Sequence, residues 1–273
     1  MSKELIKYTL QIADNALVIG HRLSEWCGHG PVLEQDIAIT NMALDHLGQA
    51  RNLYQYAASL FNELAPGEQM QLFASTALQN KVAEGKPIDE DDLAYLRDSW
   101  DFYNTMLVEM PNNDWAYTIA RSFIYDTYNH LFYTKLLSSA DESLAAIAEK
   151  SLKEVDYHMR WSSEWVIRLG DGTEESTRRM QAAINDLWAY SGELMIMNDT
   201  DKWALQHNIG TDLEQIRADW KLRTSAVLNE ATLQIPADGW MHTGGKNGRH
   251  TEHLGYVLAE LQFMQRAYPG MVW

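Results

Sequence analysis

Along most of this chain apolar residues return every three or four positions, the spacing of one helical face, and the strict alternation of a strand is missing. Trp115, Ile119 and Phe123 make one stripe, with Asp126 three positions further on. Leu144, Ala148, Ser151, Leu152, Val155, His158 and Ser162 make another. Pro is scarce, and short Gly or Pro clusters punctuate the long periodic stretches. The pattern predicts a helix over about 3–27, stopped at "CGHGP", and a second over 32–64, stopped at "APGE". A weaker helix over 68–88 leads into the charged loop "EGKPIDEDD". A third strong segment runs over 91–110 and breaks at "PNND", where Asp114 is the N-cap of a fourth helix reaching about 137. Helices follow over 144–169, 174–197 and 212–230, the last preceded by a less regular region. The tail "DGWMHTGGKNGRHTEHLG" runs into a final helix ending near 267. With no internal repeat and no shift of composition, the reading is one all-α domain over 1–273. It is a bundle of long helices with additional C-terminal helices, in which 231–273 forms a loop and helix.

Composition narrows the class. The formal charge is −16, from 38 acidic against 22 basic residues, which argues against nucleic acid while leaving room for a phosphorylated small molecule. A single Cys rules out a disulfide within the chain and suits a reducing cytoplasm. No apolar run approaches the roughly 20 residues of a membrane span, and "MSKELIKYTLQIADN" lacks the apolar core of a signal peptide. The expectation is therefore a cytoplasmic protein with no membrane contact. Ten Trp and thirteen Tyr call for a large core, a large interface, or both.

Candidate chemistry comes from acidic residues and His on inward faces. Glu25, Asp45, Asp126 and His158 fall on four different helical segments. Helical bundles that hold two irons use one Glu from each of two helices and Glu-x-x-His from each of the other two. Tested against that layout, the second segment reads Asp45-His46-Leu47-Gly48, with Gly at the His position, and the fifth reads Val155-Asp156-Tyr157-His158, with Val at the Glu position. Glu25 and Asp126 would fill the single-carboxylate positions. Neither Gly48 nor Val155 can coordinate a metal, so the constellation reads as the remnant of a metal site, with no metal in this chain and no catalytic residue. Each residue alone also has an ordinary reading: a satisfied core His, or a carboxylate that caps or pairs. Glu154 and His158, one turn apart, fit a solvated helix pair equally well. "GGKNGRH", with Lys246 and Arg249, could cradle a phosphate or pack against a partner; it lacks the Ser or Thr of a P-loop.

Four blocks, "LSEWCGHGPVLEQDIAITNMALDHLGQAR", "LVEMPNNDWAYTIAR", "KEVDYHMRWSSEWVIRLGDGT" and "TGGKNGRHTEHLG", resemble the C-subunit family of the bacterial phenylacetyl-CoA epoxidases, which are multicomponent monooxygenases. The likeness runs from about residue 5 to the end; 65–90 is longer than the family pattern and reads as a lineage insertion. The resemblance implies a ferritin-like fold and a non-catalytic, structural role in phenylacetate catabolism. It implies as partners a homologous A subunit that holds the di-iron centre, a B subunit, and a reductase with flavin and iron–sulfur groups. It also implies contacts to phenylacetyl-CoA from Asp101, Phe102, Tyr103 and Asn104, and from Trp203, Ala204 and Leu205; of these, Phe102, Asn104, Ala204 and Leu205 match the family's residues. The isolated chain is expected to form a homodimer through its partner surface. Two other classes compete: a di-metal oxidase in its own right, using Glu25, Asp45, Asp126, Glu154 and His158, and an acyl-CoA binding module.

Overall fold

The computed structural model describes residues 3–271, and no strand occurs among them. Two long helices, α1 (Lys3–Ser24) and α2 (Leu33–Asn62), form a hairpin. A long crossover follows, holding α3 (Pro66–Gln69), α4 (Thr76–Ala83) and α5 (Glu90–Tyr95). It leads to a second hairpin, α6 (Trp115–Leu136) and α7 (Glu142–Gly170). Then come α8 (Glu174–Ser191), α9 (Asp199–Gln206), α10 (Leu213–Glu230), α11 (Glu252–Leu261) and α12 (Phe263–Ala267). Two helical hairpins joined by one crossover make the ferritin-like arrangement. α2 lies on α7, α8 and α10 cover α6, and α9 and α11 pack on α1. Burial follows the three–four spacing most clearly on α2, where Ile39, Met42, Ala43, His46, Gln49, Ala50 and Leu53 face inward. α6 is enclosed on nearly every side, from Ala116 to Leu136, as befits a central helix.

Several predicted boundaries move, each for a tertiary reason. The first helix ends at Ser24 rather than 27; beyond it the chain turns through Gly28, at φ +79°, and the N–H groups of Gly28 and Gly30 donate to Asp36. The weak helix expected over 68–88 is two short pieces, α3 and α4. The segment over 91–110 is helical only in α5 and two short 3-10 turns, Ser99–Asp101 and Met106–Glu109. Its backbone is diverted to distant side chains. Tyr103 N–H donates to Asp14 at 2.8 Å, Thr105 N–H to Asn15 Oδ1 at 2.9 Å, and Met106 N–H to Glu193 at 2.8 Å. These bonds replace the helical ladder that the local sequence favours. The helix expected over 174–197 stops at Ser191 in a 3-10 turn, where Met241 lies against Gly192 so closely that a Cβ there would come within 2.7 Å of its Cγ. The less regular region before α10 contains α9, and the final helix divides into α11 and α12.

The crossover is anchored to α1 by a buried ion pair. Asp14 and Arg97 have no side-chain exposure, and the Arg97 guanidinium lies 4.1 Å from the Phe102 ring centroid. Tyr54 Oη donates to Asp14 Oδ1 at 2.6 Å and accepts from Arg97 at 3.0 Å. A buried pair offsets its desolvation only when the remaining donors and acceptors are also bonded. Here the Arg97 guanidinium further reaches the carbonyls of Leu93 and Asp101.

Candidate functional site

α2, α6 and α7 each bring one ionisable side chain to the same point of the bundle interior. They are His46, Asp126 and His158, all buried. One donor atom from each lies within 4.8 Å of the other two, and the two imidazole centroids are 4.7 Å apart. His158 Nε2 is 3.0 Å from Asp45 Oδ2. A carboxylate oxygen accepts, so Nε2 carries a proton, and in the neutral ring the lone pair is on Nδ1. Among the described residues, His158 Nδ1, both His46 ring nitrogens and both Asp126 carboxylate oxygens have no hydrogen-bond partner. Burial drives the His46 pKa well below the ordinary value. Burial raises that of Asp126 to about 6. Ser162 does not relieve Asp126 by donation, because its hydroxyl donates to the His158 carbonyl of its own helix at 2.9 Å.

The sequence reading placed the α2 slot one residue out of register. Gly48 is exposed, and a Cβ on it would meet nothing within 4 Å, while Asp45 is only partly buried. The face turned inward carries His46 and Gln49, so the slot reads His46-Leu47-Gly48-Gln49. One residue is about 100° of helical rotation, enough to carry a side chain from the core to its rim. The 39, 42, 43, 46, 50, 53 stripe held the signal that identifies His46. On α7 the register is as read: Val155 and His158 are both fully buried. Glu25 lies past the end of α1, 42% exposed, paired to Arg22 at 2.8 Å and accepting from Asn112 at 2.9 Å. It cannot reach the interior. Gly20 of α1 is the residue against His46, at 3.2 Å from a constructed Cβ to His46 Cβ, so α1 presents no carboxylate there. Glu154 stands at the rim of α7 and accepts from Gln49 Nε2 at 3.0 Å.

Comparison with known proteins gives this geometry its context. The profile of the family described as "Phenylacetic acid catabolic protein" matches residues 1–273. The chain belongs to this family. It is similar to the C subunit of the 1,2-phenylacetyl-CoA epoxidase of Escherichia coli (strain K12), with 44% identity over 270 residues and 99% of each chain covered.

In a ferritin-like phenylacetic acid catabolic protein the group to test is a pair of irons, which takes four carboxylates and two His. At this point of the bundle, among the described residues, there are one buried carboxylate and two His, with Val155 and Gln49 at the other two positions of the paired slots and Gly20 facing His46. These residues do not fit two irons. The stretches tied by resemblance to the acyl-CoA are largely interior. Asp101 accepts from the N–H groups of Ala74 and Ser75 at 2.7 and 2.8 Å, Phe102 is covered by Arg97, Asn104 donates to Glu109 at 2.9 Å, and Ala204 is fully buried. Tyr103, Trp203 and Leu205 keep some outward surface, and Trp203 stacks on His207 at 4.4 Å.

The "GGKNGRH" loop is also committed internally. Gly244 and Gly245 N–H groups donate to Glu193 Oε1 at 2.6 and 2.7 Å, so the backbone cradle already holds a carboxylate. Lys246 is buried and bonded to Asp201 at 2.9 Å and to the Ile196 carbonyl at 3.0 Å. Arg249 lines a shallow surface cleft with Asn247 and Met197.

Proposed function

We propose that this chain is the C-type subunit of an oxygenase that epoxidises phenylacetyl-CoA, working in the cytoplasm beside a homologous di-iron A-type subunit, a B-type subunit and a flavin and iron–sulfur reductase. Similarity along essentially the whole chain to the C subunit of an epoxidase supports this reading most directly. The donor deficit for two irons supports a structural rather than an oxygen-activating role, with no catalytic residue in this chain. Its contribution is rigidity: a metal-bearing bundle needs a packed neighbour to hold its ligand geometry, and displacements of about 1 Å cost rate steeply. The Asp14–Arg97 anchor makes this chain a stiff neighbour. Any contact to the CoA thioester falls to the residues with outward surface, Tyr103, Trp203 and Leu205.

The test is reconstitution with a di-iron A-type subunit, B-type subunit and reductase, following oxygen-dependent loss of phenylacetyl-CoA. Turnover is expected only when the A-type subunit and this chain are both present. Turnover by this chain with reductase alone would establish an oxidase in its own right. Tight phenylacetyl-CoA binding, with no effect on A-type activity, would establish a binding module instead. Isolated, the chain is expected to sediment as a homodimer that gives way when the A-type subunit is added.

A further inference from the structure

We propose that His46, Asp126 and His158 form a binding site for one divalent first-row transition-metal ion. Two imidazoles and a carboxylate are a sufficient donor set for zinc, iron(II), cobalt(II) or manganese(II). Ions of this class hold His nitrogens and carboxylate oxygens at about 2.0–2.2 Å. Donors already within 4.8 Å of one another close onto such an ion through small side-chain rotations.

Two observations converge on a cation. Both His46 nitrogens, both Asp126 oxygens and His158 Nδ1 lack a hydrogen-bond partner among the described residues, although burial makes an unpaired polar atom costly and such atoms are rare in folded proteins. These five atoms lie together at one point of the interior. The Asp45 carboxylate, at 3.0 Å, then selects the neutral tautomer with its proton on His158 Nε2, in which Nδ1 is the nitrogen free to ligate. That is how metal-ligating His residues are held by an outer carboxylate, which also raises the basicity of the ligand. Gln49, one turn along the same face, has an unpartnered Oε1 as a neutral further donor. A second ion has no donors, since Gly20 and Val155 contribute none. The site is thus mononuclear, and it is independent of whether the chain serves an oxygenase.

Cobalt(II) is the probe, because its visible d–d absorption reports imidazole coordination. All three side chains are buried, so the full chain, free of any affinity tag, is unfolded in urea with chelator and refolded with graded cobalt(II). The expected result is saturation at one cobalt per chain, with d–d bands and a thermal midpoint that rises with free cobalt. His46→Gln and His158→Ala are expected to weaken binding by more than about 100-fold, and Asp45→Asn by about 10–100-fold, the range for an outer-shell partner. His29→Ala, at an exposed position, should bind as wild type. If His158→Ala does not refold, His46→Gln carries the test together with the wild-type d–d spectrum. Absence of saturable binding by the wild type, two cobalt ions per chain, or unchanged affinity in the His variants would each overturn the site.

Discussion

Asp14, Arg97 and Tyr54 show how much can rest on three side chains. Removing one member of a buried pair leaves the other charge without compensation, at a cost of about 3–5 kcal/mol. Arg97→Met is therefore expected to lower the free energy of urea unfolding by that amount, and Asp14→Leu with Arg97→Met to recover part of it. A different kind of constraint governs Gly170, where any Cβ would collide with the Ala231 carbonyl oxygen. Gly170→Ala should destabilise the chain, unlike Gly48→Ala, which meets open space on an exposed helix face and gains up to about 1 kcal/mol of helix propensity. Single-residue roles were readable in the sequence where a residue shared a stripe with obvious apolar neighbours. His158 could be placed inside for that reason. His46 could not be told from Asp45 by chemistry, because a carboxylate looked the better ligand; the helical phase of its neighbours decides between them.

At the level of elements, the N-cap at Asp114 was readable from the sequence. Asp114 accepts from Tyr117 N–H at 2.8 Å and opens α6. Asp114→Ala should cost about 1 kcal/mol in unfolding experiments. The segment before α11 is held by charge. His250 Nδ1 is 2.6 Å from Glu109 and Nε2 is 2.9 Å from the Phe102 carbonyl. Both neighbours are acceptors, so both nitrogens carry protons and the ring is cationic. Burial opposes that charge, but the bond to Glu109 and its negative charge outweigh burial and raise the pKa above the ordinary value. A raised His pKa gives stability that is complete below about pH 6.5 and disappears as pH climbs through the folded-state pKa. The destabilisation caused by His250→Gln should accordingly be largest near pH 6 and shrink toward pH 9, read as the difference between thermal midpoints. The segment over 91–110 was misread as helix because its partners are remote. Asp14, Asn15 and Glu193 claim its backbone N–H groups, and no local pattern announces bonds to residues about 90 positions away.

Over the whole molecule, the C-terminal residues clasp the crossover to the bundle. Glu109 takes the N–H and hydroxyl of Thr251, Glu193 takes Gly244 and Gly245, and the Gln262 amide donates to the carbonyls of Ala94 and Arg97. Truncation after residue 238 would leave two buried carboxylates with part of their bonding removed. It is expected to abolish a single cooperative melt in circular dichroism, whereas loss of a mere appendage would leave the melt unchanged. The all-α architecture, the four long helices and their approximate ends follow from residue order alone, because a three–four apolar repeat buries one face whatever it packs against. Where the crossover abandons helix and what the Gly-rich loop holds were settled only by folding. Those outcomes depend on bonds between groups far apart in the chain, and their energy is defined only once the helices have met.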